Sequence, residues 1–236
     1  MMNLSQYNDF LYDRKFSSDL SVQYPVQKEI IGKMEYIQGL IEGKKVIDIG
    51  FADHYDLIDA RIKSNDWVHA RFRKWSSGII GVDVDPRAVD YVREKLGLTD
   101  VFCHDITSAE RLQPILQDNW DYLILSEVLE HIPDPALFLK RIRENYGSHI
   151  KRMIITVPNA FGLITLRSVF NRIERINSDH KFWFTPYTLS RVVTAAGLEV
   201  EDFVLCNSYY GLRFWERLLV KRSPLFHHTL AMVVKL

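Results

Sequence analysis

Apolar and polar positions follow two rhythms along the chain. Short apolar runs recur at Val46, Ile47 and Ile49 (β-branched, between Gly43 and Gly50), at Gly78 to Val84, at Asp100 to Cys103, at Trp120 to Leu125 and at Arg152 to Val157. Such runs read as strands buried on both faces. Between them, apolar residues return every three or four positions and predict helices. These cover Pro25 to Ile41 (Val26, Ile30, Met34, Ile37, Ile41), Tyr55 to Ile62, Pro86 to Leu96 ahead of Gly97, a short piece around Pro114 within Ala109 to Leu116, and Pro135 to Tyr146. Strand and helix in alternation predict a doubly wound, mostly parallel α/β sheet. Beyond Pro158 the rhythm changes. A helix from Phe161 to Ile176, a loop SDHKFWFTP, a helix from Tyr187 to Ala196 and a strand from Glu199 to Cys206 follow. The tail after Tyr209 reads as a helix carrying Arg213, Arg217, Lys221 and Arg222, then a last strand from His228 to Lys235.

Two stretches stand outside this rhythm. Residues 1–22 are polar with scattered aromatics (Tyr7, Phe10, Tyr12, Phe16) and suit an arm or a lid. Residues 63–77, KSNDWVHARFRKWSS, mix aromatic and basic side chains and read as an insertion, either a cover over a site or a helix that packs its aromatics inward. The expected organisation is an arm and lead-in helix over 1–43, then one domain over 44–236 with the insertion at 63–77 and a substrate-cap region at 159–186.

Composition narrows the function classes. The 236 residues carry 30 basic and 30 acidic side chains, so no global field exists to hold a long polyanion. Cys103 and Cys206 are far apart and lack the spacing of a zinc site; both are expected to be buried thiols. Asn3, Gln6, Asn8 and Asp9 stand where a signal peptide needs an apolar core, and no apolar run reaches bilayer length, so the expected location is the cytoplasm.

The chemistry collects at strand ends. Asp48 with Gly50, Asp83, Asp105, and Ser126 with Glu127 all fall at the C-terminal edge of the expected sheet, where open α/β folds bind ligands. A carboxylate closing the second buried strand can accept both hydroxyls of a ribose. The first turn reads Gly50-Phe51-Ala52-Asp53-His54 rather than GxGxxG, and its acid disfavours a pyrophosphate. A nucleoside cofactor without phosphates, S-adenosylmethionine, suits it better.

VIDIGFADH, GVDVDP, HDI, WDYLILSEVLEHIPDP, IITVPN and DHKFWFTPYTLSRVVTAAGLEV together resemble the ordered motifs of class I S-adenosylmethionine-dependent methyltransferases, in the branch with quinone-ring and sugar O-methyltransferases. The resemblance covers roughly residues 44 to 204 and implies a seven-stranded sheet whose last strand is antiparallel. It places Asp48, Gly50 and Phe51 at the methionine part of the cofactor, Asp83 and Val84 at the ribose, Asp105 and Ile106 at the adenine, and Ser126 and Glu127 near the sulfonium. Family members usually keep two or three glycines in the first motif, and this chain keeps Gly50. The stretch from Gly50 to Asp83 also exceeds the roughly 20 residues usual before a ribose acid, by the 63–77 insertion. A Trp-x-His before the second strand, here Trp67 and His69, is similar to methyltransferases of surface-polysaccharide synthesis.

His131 and His180 are the candidate catalytic bases, since imidazole titrates near working pH. The alternative for His131 is to hold the IPDP turn. Glu127, Glu130 and His131 stand at i, i+3 and i+4, so a helical turn would align them, with His180 completing a divalent-metal set. Some quinone O-methyltransferases and small-RNA methyltransferases use an ExxEH arrangement this way, whereas other relatives carry EVLEH without metal; no metal is assigned here. The aromatic and cationic residues of 63–77 and 161–184 suit a ring-bearing or lipid-linked acceptor with nearby negative charge. The expected reaction is O-methylation of a small molecule, glycan or lipid-linked precursor. Metal-dependent methylation of RNA and an inactive cofactor-binding scaffold are the alternatives.

Overall fold

A computed structural model describes residues 4–27, 29–207, 212 and 214–236. Eight strands make a mixed, mostly parallel sheet: β1 (Ile31–Gly32), β2 (Lys45–Ile49), β3 (Gly78–Asp83), β4 (Val101–Cys103), β5 (Trp120–Ser126), β6 (Ile150–Pro158), β7 (Glu199–Asn207) and β8 (Thr229–Lys235). Helices α1 (Asn8–Leu11) and α2 (Lys33–Ile41) precede β2, and α3 (Tyr55–Lys63) and α4 (Val68–Trp75) follow it. Then come α5 (Pro86–Leu96), α6 (Gln113–Leu116), α7 (Pro135–Tyr146), α8 (Leu163–Phe170), α9 (Pro186–Ala195) and α10 (Phe214–Arg222). The chain divides into two compact units, one of Ile37–Ser126 and Arg141–Ile154 with Leu236, the other of the remaining described residues.

In the first unit β5, β2, β3 and β4 pair in that order, all parallel, with Ile47 opposite both Ile80 and Leu123. The apolar runs place Val46, Ile47, Leu123 and Ile124 fully inside, which is what demands hydrogen-bonded strands at the centre of a sheet. Helix α5 forms where its punctuation is strongest. Asp85 accepts from Arg87 N at 2.9 Å as N-cap, Pro86 opens the first turn, and Gly97 closes it at φ 65°. Ala88, Val89 and Val92 pack with Phe51, Ala52, Ile58, Trp67 and Val101 in one core cluster. The 63–77 insertion folds inward rather than as a cover: Trp67, His69 and Phe72 are buried, and Arg71 and Arg73 turn out to pair with Asp66 (2.8 Å) and Asp100 (2.6 Å).

In the second unit β7 and β8 run antiparallel over most of their length and β1 joins β7 in parallel. The eighth strand is β1, two residues long, where the periodicity places a helix. The helix expected from Pro25 starts only at Lys33 because the preceding segment is extended along β7. Gln27 donates to Leu205 O (2.8 Å) and accepts from Leu205 N (3.3 Å), leaving Val26 and Ile30 exposed. The helix expected over 161–176 is likewise confined to α8, ending at Asn171 before Arg172 at φ 55°. Residues of the N-terminal stretch are pinned to α9: Arg191 donates to the Phe10 and Leu11 carbonyls at 2.7 and 2.6 Å, and Leu4 and Leu11 are buried. Arg213 of the expected tail helix and Asn3 lie outside the described residues. Cys206 is buried as expected, but Cys103, at the end of the three-residue strand β4, is exposed. No helix among the described residues is long and apolar enough to cross a membrane.

Candidate active site

The first unit supplies the turn after β2 and the acid that ends β3. Gly50 has φ 74°, which glycine takes without strain, and donates to Val82 O at 2.9 Å. The turn runs on to Asp53, at φ 62° and held by Arg61 Nε at 2.7 Å. Asp83 receives the Ala52 N–H on one carboxylate oxygen (3.2 Å) and the Asp85 N–H on the other (3.1 Å). Burial pushes its pKa up, against the pull of these bonds. Since Asp85 caps α5, capping does not account for Asp83. Each of its oxygens retains acceptor capacity, and the neighbouring Val84 is 68% exposed, so this strand end is open. Asp105 is exposed and folds back to accept from Thr107 N and Oγ1 at 2.9 and 2.7 Å, while Ile106 is buried. Ser126 is half-buried at the end of β5.

Two of the expected ligand contacts are turned inward. Asp48 is 3% exposed, and its Oδ2 lies 2.7 Å from Nδ1 of His69 on α4. Burial pushes the Asp48 pKa up and the imidazole opposes the shift. The Phe51 ring packs 5.0 Å from the His69 ring, in the space a side chain at Gly81 would need: a Cβ there would stand 2.6 Å from Phe51 Cγ. Trp67 Nε1 donates to Phe51 O at 2.9 Å. The Phe51 ring and carbonyl are thus committed to the core. Its ring belongs to the core because the turn after Gly50 doubles back over β3. The insertion therefore clamps the glycine-poor turn from beneath at two points, Asp48 and Phe51.

The second unit brings both candidate bases together. The turn after β5 is not α-helical: Glu127 sits at φ 58° and a 3-10 turn spans Leu129–His131, so the alignment expected from i, i+3, i+4 does not form. Glu127 instead accepts from Lys33 Nζ (3.3 Å) and Thr156 Oγ1 (3.1 Å). Glu130 is fully buried, and neither carboxylate oxygen has a hydrogen-bond partner among the described residues. Burial, then the charge of Glu127, pushes its pKa up to about 8. The His131 and His180 rings meet edge-on at 4.6 Å, and His180 Nε2 lies 3.8 Å from Glu130 Oε1. Lys181 locks the two segments, donating from its backbone to Glu130 O (2.8 Å) and from Nζ to His131 O (2.7 Å). Burial lowers the His180 pKa, keeping the imidazole neutral. Glu130, His131 and His180 each offer a ligand atom within 4.8 Å of the others; Glu127 stands outside that set.

Sequence reasoning missed Lys33, Thr156 and Lys181, and placed His69 in a possible cover over the site rather than against Asp48. Lys33 did carry a signal, since its i, i+4, i+8 spacing with Ile37 and Ile41 puts it on their apolar helical face, and it is 1% exposed in the fold. The other partnerships depend on non-local contacts.

A family model described as a methyltransferase domain matches residues 23–202. The chain belongs to the methyltransferase domain family. This methyltransferase is 32% identical over 90 residues to a ubiquinone biosynthesis O-methyltransferase of Aeromonas salmonicida (strain A449), covering 36% of this chain and 38% of that protein. It is 26% identical over 171 residues to one of Pseudomonas entomophila (strain L48), covering 70% and 68%. The chain thus spans well under half of the first relative and about two thirds of the second. Among solved structures, a SAM-dependent methyltransferase from Aquifex aeolicus shares the fold at TM-score 0.51 and 15% identity, over 86% of this chain and 89% of that one.

Proposed function

We propose that this methyltransferase methylates a hydroxyl oxygen on a small ring-bearing molecule, a glycan or a lipid-linked precursor. The observation that carries the reading is the pairing of His131 with His180 beside the buried Glu130. The ubiquinone O-methyltransferase relatives support the same class of acceptor. In this reading residues 1–43 are an arm and lead-in helix, 44–236 the catalytic domain, and the segments 63–77 and 159–186 its specific additions.

The residues of the first unit fit the cofactor. Gly50 lets the backbone come close, Asp83 has spare acceptor sites for the ribose hydroxyls beside the open edge at Val84, and Asp105 and Ile106 offer a polar and an apolar group to the adenine. Phe51 contributes its N–H, Asp48 orders the turn through His69, and Ser126 closes the methionine side. When bound, S-adenosylmethionine supplies a methyl group on a sulfonium, which leaves as neutral S-adenosylhomocysteine once the acceptor oxygen takes the methyl and the sulfur keeps the electron pair. The protein's own task is to align the acceptor and take its proton. His180, neutral through burial, receives that proton, and His131 and Lys181 hold it in place.

The test is transfer of labelled methyl to pools of sugars, quinone-like phenols, RNA and protein by the wild type and by His180→Ala. Loss of a general base lowers kcat by about 10²- to 10⁴-fold, with S-adenosylhomocysteine affinity unchanged. Unaltered kcat would remove His180 from the chemistry. A second reading rests on the bare carboxylate of Glu130: with His131 and His180 it would hold a divalent cation, whose chemistry is to make the acceptor hydroxyl more acidic. Activity lost to a chelator and restored by Mg²⁺, Mn²⁺ or Zn²⁺ would favour it, and a metal-dependent signal on RNA alone would replace the small-molecule acceptor.

A further inference from the structure

Large apolar side chains reach solvent unevenly in the second unit. On α8 and the segment after it, Ile164, Val169, Phe170, Ile173 and Ile176 are exposed, Phe170 to 89%. On α10 the same holds for Phe214, Trp215, Leu218 and Leu219, Phe214 to 79%. More than half of the large exposed apolar residues of the described chain fall in these stretches and the adjoining Phe161 and Phe182, so this is a patch and not the usual scatter.

The two helices are joined at one end. Asn159 Nδ2 donates to Leu225 O and His227 O, both at 2.7 Å, so the segment just ahead of α8 is bolted to the segment just after α10. Gly162, the N-cap of α8, lies so close that a Cβ there would be 3.3 Å from His227 O. Cations accompany the apolar residues: Arg167, Arg172 and Arg175 against Glu174 in 161–176, and Arg217, Lys221 and Arg222 against Glu216 in α10. In a chain whose basic and acidic residues balance, this local excess leaves the rest of the chain net acidic.

We propose that α8, its following segment and α10 dock this methyltransferase on a bilayer surface that carries anionic headgroups. Aliphatic and aromatic side chains that protrude beside arginine and lysine suit the boundary between acyl chains and headgroups, where the apolar tips enter and the cations meet phosphate. A nucleic acid would use the cations but leaves Ile164, Val169, Ile176, Leu218 and Leu219 without an apolar partner, which favours lipid. The segment after α8 also leads to the candidate bases: Trp183 donates to Glu174 at 3.2 Å and packs on His180. The docking does not depend on which acceptor the site methylates.

Vesicle co-sedimentation tests this, with phosphatidylcholine alone, with added phosphatidylglycerol, and at low and high salt. The wild type is expected to partition onto the anionic vesicles and to be released by salt. Arg172→Gln and Arg222→Gln should each weaken binding about fivefold, the contribution of one cation near an anionic surface. Phe170→Ser with Phe214→Ser should weaken it further, while S-adenosylhomocysteine binding stays intact as proof of folding. The proposal is overturned by no partition onto anionic vesicles, by partition indifferent to these substitutions, or by variants that lose only RNA binding or a concentration-dependent dimer.

Discussion

Glu130 is the residue with the most to reveal, because a buried carboxylate without a hydrogen bond is stable only when neutral or matched by a cation. Its pKa is raised from 4.5 to about 8 in the folded protein, so the folded state holds a proton that the unfolded state releases. The resulting stabilisation is fully present below pH 4.5 and is lost as pH rises through about 8. Thermal melts across that window should decline for the wild type and stay flatter for Glu130→Gln, which keeps the shape without the charge. If the three-residue set takes a cation, Zn²⁺ or Mn²⁺ added above pH 8 should raise the wild-type melting temperature and leave Glu130→Gln unmoved. Equal response of both proteins would count against the metal reading. Asp83 allows a cleaner test of cofactor binding. Asp83→Ala should weaken S-adenosylhomocysteine by about 1.5–3 kcal/mol per charge-assisted bond lost. Because Asp83 also receives Ala52 N–H, Asp83→Asn serves as the comparison that preserves the turn's shape. Unchanged affinity in calorimetry would move the ribose role elsewhere.

At the scale of elements, α4 accounts for how a first motif with a single glycine keeps its geometry. The His69–Asp48 contact and the Trp67–Phe51 bond tie the turn to the insertion from the core side. His69→Ala would leave the Asp48 carboxyl buried without a partner, which costs about 3–5 kcal/mol when a buried pair is broken. Trp67→Phe should cost about 0.5–1.5 kcal/mol for one bond. Urea melts of both, with the double variant Asp48→Asn/His69→Ala, check this. If the double variant is no better than His69→Ala alone, the pairing is not what the insertion contributes. Elements with local punctuation were legible beforehand, as α5 was from Asp85, Pro86 and Gly97 and the end of α9 from Gly197, whereas Pro186, read as the last residue of a loop, opens that helix. The false helix start at Pro25 shows where that reading ends: its apolar spacing was real, but pairing of Gln27 with Leu205, far along the chain, outweighs local preference. The site divides the same way. Asp83 stood out as an acid at a strand end, and His131 and His180 as imidazoles able to take a proton, whereas Lys33 and Thr156 enter the site through non-local contacts with Glu127.

At the scale of the whole molecule, the glycine-poor motif raises the choice between an enzyme and a scaffold that only holds the cofactor. The backbone argues that the turn is built to work: Gly50 and Asp53 adopt left-handed conformations without further glycines, and Ala52 gives its N–H to Asp83. A ligand that binds only the folded chain stabilises it by about 2.7 kcal/mol at 100 times its Kd. In a chain of this length 1 kcal/mol shifts the melting temperature by about 2–4 °C. S-adenosylhomocysteine at saturating concentration should therefore raise the melting temperature by roughly 5–11 °C, and NAD should not. A shift with NAD instead would reassign the nucleoside site. A shift with S-adenosylhomocysteine, combined with no methyl transfer to any acceptor pool with or without divalent metal, would make the molecule a cofactor-binding scaffold. Transfer to a hydroxyl acceptor that vanishes in His180→Ala while the melting shift persists is the outcome expected of the enzyme.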